Sequence, residues 1–103
     1  MPPVPLIDKI HSRLLEAVSK PGALDMNTWH ICETTHCRAG HVVHLAGEAG
    51  YVLERATSPL FAALQIYKAS GYKISPVRFY DSNEDAMADM RKLAESETET
   101  AGA

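Results

Sequence analysis

The run from Trp29 to Glu48 reads W-H-I-C-E-T-T-H-C-R-A-G-H-V-V-H-L-A-G-E, and it bears on both the fold and the chemistry. On a helix advancing about 100° per residue, Cys37, His41, His44 and Glu48 fall within an arc of roughly 60°. Ala39, Val42, Val43, Ala46 and Ala49 point the other way. Thr34 or Thr35 is suited to cap such a helix and Gly50 to stop it, so the pattern predicts an amphipathic helix over 36–49. Both cysteines of the chain (Cys32, Cys37) and four of its five histidines (His30, His36, His41, His44) lie in this run.

The flanking sequence carries helical signals too. Leu6, Ile7, Ile10, Leu14, Ala17 and Val18 recur at helical spacing. Pro5 is placed for a first turn, and Pro21-Gly22 ends the element near Lys20. Trp29 reads as a core anchor. Residues 51–56 read as a further turn of helix. Ser58-Pro59 opens another helix, with Leu60, Phe61, Leu64 and Tyr67 on its apolar side and Gly71 as its stop. Ser82 caps a last helix, with Glu84 and Asp85 early and Arg91 and Lys92 late, matching the helix dipole. Met87, Met90, Leu93 and Ala94 form its apolar stripe. The segment 72–80 reads as extended and Pro-interrupted, crossing the core through Ile74, Val77 and Phe79. It is able to pair with 28–32 as a minor two-strand element. The reading is therefore mainly α: a single helical domain over 1–95, about four helices with short extended connectors. The acidic tail over 96–103 is expected to be disordered.

At 103 residues, with 46% hydrophobic and 22% charged side chains and a net charge of −3, the chain suits one small globular domain. The charge offers no footprint for nucleic acid or an anionic membrane surface. It is compatible with a basic protein partner. No apolar run is long enough to span a membrane, and the Met-Pro-Pro-Val-Pro start lacks the pattern of a signal peptide. The expected compartment is the cytoplasm. Thiols stay reduced there, so metal binding or reactivity outranks a structural disulfide.

Three functions fit the Cys/His run. The leading one is a small cytoplasmic binding or regulatory module without catalysis. Its cysteines would be small buried hydrophobes, and its histidines the wall of an interface to a protein partner around 36–49. The second is a zinc protein with Cys32, Cys37, His41 and His44 as ligands, since zinc takes thiolate and imidazole in a tetrahedron. The spacing C-x4-C-x3-H-x2-H is not that of a zinc finger. His30 and His36 are near enough in sequence to approach the same place. The third is a cysteine-dependent enzyme with Cys37 as nucleophile, activated in the first turn of a helix, and His41 as its base. Glu48 is too far along to orient His41 but within reach of His44. No cofactor other than zinc is indicated. Gly40 and Gly47, seven residues apart, each cost about 1 kcal/mol in a helix relative to alanine, so each calls for a close approach, most simply by a neighbouring helix.

Several likenesses attach to these residues. His36-Cys37-Arg38-Ala39-Gly40 resembles the start of the phosphate loop of protein tyrosine phosphatases, H-C-x-x-G-x-x-R. Val43 stands where the arginine belongs, which removes the phosphate clamp. Cys37 at a helix start is similar to the nucleophile of papain-like peptidases, but no histidine follows residue 44. The fullest match resembles a group of small bacterial and phage-associated proteins of unassigned function, with the motif W-x-x-C-[G/E]-T-x-x-C-x-A-G-[H/W]. Trp29, Cys32, Thr34, Cys37, Ala39, Gly40 and His41 fit it, with Leu45-Ala46-Gly47 beyond, and Glu33 stands where glycine is usual. The likeness covers about twenty residues. It implies a bacterial or phage origin and a joint role for Cys32 and Cys37.

Overall fold

A computed structural model describes residues 1–30 and 34–102, with side chains described through Thr98. It contains five α-helices: α1 (Ile10–Val18), α2 (Arg38–Leu45), α3 (Gly47–Ala56), α4 (Pro59–Ala69) and α5 (Asn83–Gly102). A 3-10 helix spans Pro76–Tyr80. The protein is mainly helical, as the sequence pattern predicts. α1 lies along α5, while α2 packs against both α4 and α3. Ile10, Leu14, Val42, Val43, Leu53, Ile66, Tyr67, Phe79 and Met90 meet in one core. None of the described helices is long and apolar enough to cross a membrane.

The caps written into the sequence operate where expected. The Ser58 hydroxyl accepts from the Phe61 N–H at 3.1 Å, with Pro59 at the first helical position. Ser82 does the same for Asp85 at 3.1 Å. Gly71 ends α4 in the left-handed region at φ 98°.

Other boundaries move, each for a visible reason. α1 begins at Ile10 and not near Pro5, because Lys9 is left-handed at φ 53° and the Ile7 N–H donates to Ser70 Oγ at 2.9 Å. That bond ties the lead-in to the end of α4. The helix expected over 36–49 is two elements. Its N-cap is Cys37, whose sulfur accepts from the Gly40 N–H at 3.3 Å, in place of Thr34 or Thr35. It breaks at Ala46, and Gly47 restarts the chain as α3 with φ 71°.

The segment 76–80 coils as a 3-10 helix, burying Ile74 and Phe79 and exposing Val77. It does not form the expected strand. Among the described residues the only β-type pairing is two isolated bridges, Leu24 with His36 and His30 with His36. Phe61 and Trp29 also sit at the surface, 39% and 38% exposed.

The acidic stretch from Ser96, expected to be disordered, continues α5 to Gly102. Glu97 supplies the reason. Its two carboxylate oxygens accept from the His11 and Ser12 N–H groups at 3.1 and 3.0 Å. These amides lie in the first turn of α1, where a helix has no internal acceptors. Partial burial opposes the Glu97 charge, but the hydrogen bonds from Ser12 and His11 outweigh it and hold the carboxyl below its ordinary range.

Candidate functional site

The loop before α2 builds the site. The His36 N–H donates to the Ala23 carbonyl and the His36 carbonyl accepts from the Asp25 N–H, both at 3.0 Å. The Cys37 N–H donates to the Trp29 carbonyl at 3.3 Å. The Asn83 side chain accepts from the Met26 N–H at 2.8 Å and ties the loop to the start of α5. Residues 23–30 are thereby clamped over the beginning of α2.

The clamp buries α2 on almost every side. Arg38, Ala39, Gly40, His41, Val42 and Val43 are all buried, and only His44 is exposed. The stripe of Cys37, His41, His44 and Glu48 is therefore not a continuous surface. The break at Ala46 places the exposed Glu48 on α3, and Nδ1 of His44 meets the Tyr51 hydroxyl at 2.9 Å. The Cys/His run divides between two places.

The first place is a cluster of imidazoles. The His36 ring is buried between three others: edge-on to His30 and His41, with centroids at 4.9 and 4.8 Å, and stacked with His44 at 4.7 Å. Nδ1 of His30 faces Nδ1 of His36 at 2.7 Å. The other nitrogen of His30, Nε2, lies 2.7 Å from Glu54 Oε1 on α3. A carboxylate only accepts, so Nε2 of His30 carries the proton. His41 Nε2–H donates to the Ala23 carbonyl at 2.6 Å. Sequence spacing gave no sign of Glu54, which reaches His30 only because the loop folds back over α3.

The second place is a groove of about 340 Å³ lined by Met26, Asn27, Thr28, Trp29, Cys37, Phe79 and Tyr80. Trp29 and Tyr80 stand exposed at its sides, while Cys37 and Phe79 are buried. A recess lined by Asp81, Ser82, Asn83 and Glu84 continues from Met26 and Tyr80.

Of the candidate zinc ligands, Cys37, His41 and His44 are each engaged elsewhere, and Cys32 lies outside the described residues. Among the described residues, no three His, Cys, Asp or Glu side chains form a ready metal-holding group. As a nucleophile, Cys37 is poorly placed. Burial pushes its thiol up, against the hydrogen bonds from Gly40 and Ala39 that lower it. A reactive thiol needs the opposite balance.

Burial lowers the His41 pKa to about 4; the Ala23 carbonyl opposes the shift, and His36, His44 and His30 add to it. An unfolded histidine titrates near 6.5, so acid favours the unfolded chain, which takes up a proton that folded His41 refuses. The stabilising term is full above pH 6.5 and fades as pH falls toward 4. Between pH 7 and pH 5 it amounts to about 2 kcal/mol. Urea melts should show His41→Gln losing less stability over that interval than the parent by about this amount. Parallel losses in the two proteins would contradict the assignment.

Compared with known proteins, the chain matches no family model, no curated protein and no solved structure.

Proposed function

We propose that this chain is a small cytoplasmic module that binds a protein partner through the groove between the 26–29 loop and the 3-10 helix. The observation that carries the reading is the pair of exposed aromatic side chains, Trp29 and Tyr80, beside a groove floored by Phe79 and Cys37. Aromatic residues beside a pocket are the usual anchors of protein interfaces. A recess bearing the exposed carboxylate of Glu84 adjoins them, its Asp81 being paired with Arg78 at 3.2 Å, and the whole chain is acidic. The occupant is a peptide segment with one large apolar side chain flanked by Lys or Arg. The likeness of the Trp29–Gly47 motif to small bacterial and phage-associated proteins supports a bacterial or phage origin for the module.

The test is selection of ligands from a random peptide display library, followed by titration. Trp29 is the only tryptophan, so its fluorescence reports binding directly. Selected peptides should carry an apolar anchor beside basic residues and lose at least about tenfold in affinity on Trp29→Ala or Tyr80→Ala, as interface anchors do. A library that yields no ligand, or ligands indifferent to both substitutions, would reject this reading.

A further inference from the structure

The imidazole cluster is separate from the groove, and a protein-binding role leaves it unexplained. A histidine placed only for packing needs one carbonyl, as His41 finds in Ala23. His30 and His36 instead share a hydrogen bond, Nδ1 to Nδ1, across 2.7 Å. The geometry points to a proton-operated latch: these two rings hold the 28–30 segment against the start of α2 while they share one proton, and release it when both are fully protonated.

Two nitrogens 2.7 Å apart are bonded only when one carries the hydrogen and the other a lone pair. Glu54 keeps a proton on the far nitrogen of His30, Nε2. The pair has four ring nitrogens, and three of them can be protonated with the shared hydrogen still in place. Glu54, 2.7 Å from His30, balances the positive charge that the third proton brings. A fourth proton sets N–H against N–H, and the rings must part. That outcome depends on the facing nitrogens alone and holds whatever His36 bonds through its other one.

The groups around the pair oppose a second charge. His41 and His44 face His36 from α2, with centroids at 4.8 and 4.7 Å. Tyr51 lies beside His30 from α3 at 5.4 Å, next to Glu54. Asp25 of the loop turns its carboxylate to the Asn27 N–H at 3.0 Å. Of the groups in contact with the two rings among the described residues, Glu54 alone is an anion, enough for one positive ring and not for two.

The latch sits at the weaker end of the loop. The near end is fixed by the 3.0 Å bonds of His36 with Ala23 and Asp25, by His41 on the Ala23 carbonyl, and by Asn83 on Met26. At the far end, among the described residues, stand one backbone bond of 3.3 Å from Cys37 to Trp29 and the His30 ring itself. Parting the rings therefore lifts 28–30 and frees the Cys37 N–H while the helices stay packed. Trp29 moves with the segment, and the groove loses a wall. Loss of peptide binding in acid rests on the reading of the groove as a peptide site; the opening itself does not.

Amide hydrogen exchange of the unmodified full-length protein from pH 7 to pH 5, with no ligand present, measures the opening whether or not the groove binds a peptide. The Cys37 N–H reports the latch. The N–H of Ile66, buried in α4, reports global unfolding. An imidazole free in water titrates near 6.5, so each opening takes up about one proton. Protection at Cys37, corrected for the intrinsic exchange rate, should fall about tenfold between pH 6 and pH 5 and stay below that of Ile66 throughout. His30→Gln, at a side chain 25% exposed, should abolish the fall. His44→Gln, which removes an exposed ring outside the pair, should retain it. The latch is overturned by protection at Cys37 that does not change with pH, by equal protection at Cys37 and Ile66, or by a fall that persists in His30→Gln.

Discussion

Gly40→Ala is expected to cost at least about 3 kcal/mol, enough to leave a domain of this size largely unfolded near its midpoint conditions. A Cβ at Gly40 would lie 2.0 Å from the Trp29 carbonyl oxygen and 2.9 Å from His36 Cβ. The oxygen is backbone and has no rotamer with which to escape. It also accepts the Cys37 N–H, so moving it would release the 26–30 loop from the start of α2. Trp29 would leave the groove and His30 would leave His36. Gly47→Ala provides the contrast. Gly47 is left-handed at φ 71°, yet nothing lies within 4 Å of its would-be Cβ. That substitution pays only the conformational cost, about 1 kcal/mol. Urea midpoints of the two variants should differ several-fold in their displacement from the parent. Equal displacements would mean that the loop, not Gly40, yields to the added methyl.

The same pair of glycines marks what the sequence discloses. A glycine within a helical pattern signals a close approach, and Gly40 has one. The approaching group is a loop carbonyl, which no periodicity encodes. Gly47 serves a different need, the turn in direction between α2 and α3. A helical wheel assumes a straight axis, so the wheel drawn through Gly47 placed Glu48 beside His44, and the bend removes it. Ser58-Pro59, Gly71 and Ser82 were legible because capping is local: the groups concerned are within three residues of each other. Glu54 with His30, and Glu97 with His11 and Ser12, are 24 and 85 to 86 residues apart. Composition marks Glu97 as part of a solvated tail, whereas its carboxylate closes the first turn of α1. The concentration of Cys and His did locate the candidate site. Its division into an imidazole cluster and an aromatic groove follows from the folding back of the 23–30 loop.

Removing Asp89 is expected to damage the protein more than removing the arginine that it neutralises. Arg38 is wholly buried in α2, donating from Nη1 to Asp89 Oδ2 at 2.7 Å and from Nε to the Tyr67 hydroxyl at 3.0 Å. Its Nη2 has no partner among the described residues. Asp89 is on α5 with 23% of its side chain exposed, so the acid is able to draw on water and the base is not. Burial pushes the Tyr67 phenol up to about 12 despite the nearby Arg38 charge. Tyr67 therefore stays neutral and cannot replace the lost anion. Asp89→Ala suits a helix by intrinsic preference, yet it strands the guanidinium in the core without a counter-charge, at a cost of about 3–5 kcal/mol. Arg38→Met removes the buried charge and fills most of its volume. It leaves Asp89 to solvent and costs about 1–2 kcal/mol, the penalty of one unsatisfied buried hydroxyl. The double variant should then be more stable than Asp89→Ala alone, since the second change removes what the first one stranded. Chemical denaturation of the three variants measures the order. If Arg38→Met proves the costliest, the arginine acts through its packing and its bond to Tyr67, and the ion pair between α2 and α5 is incidental to the fold.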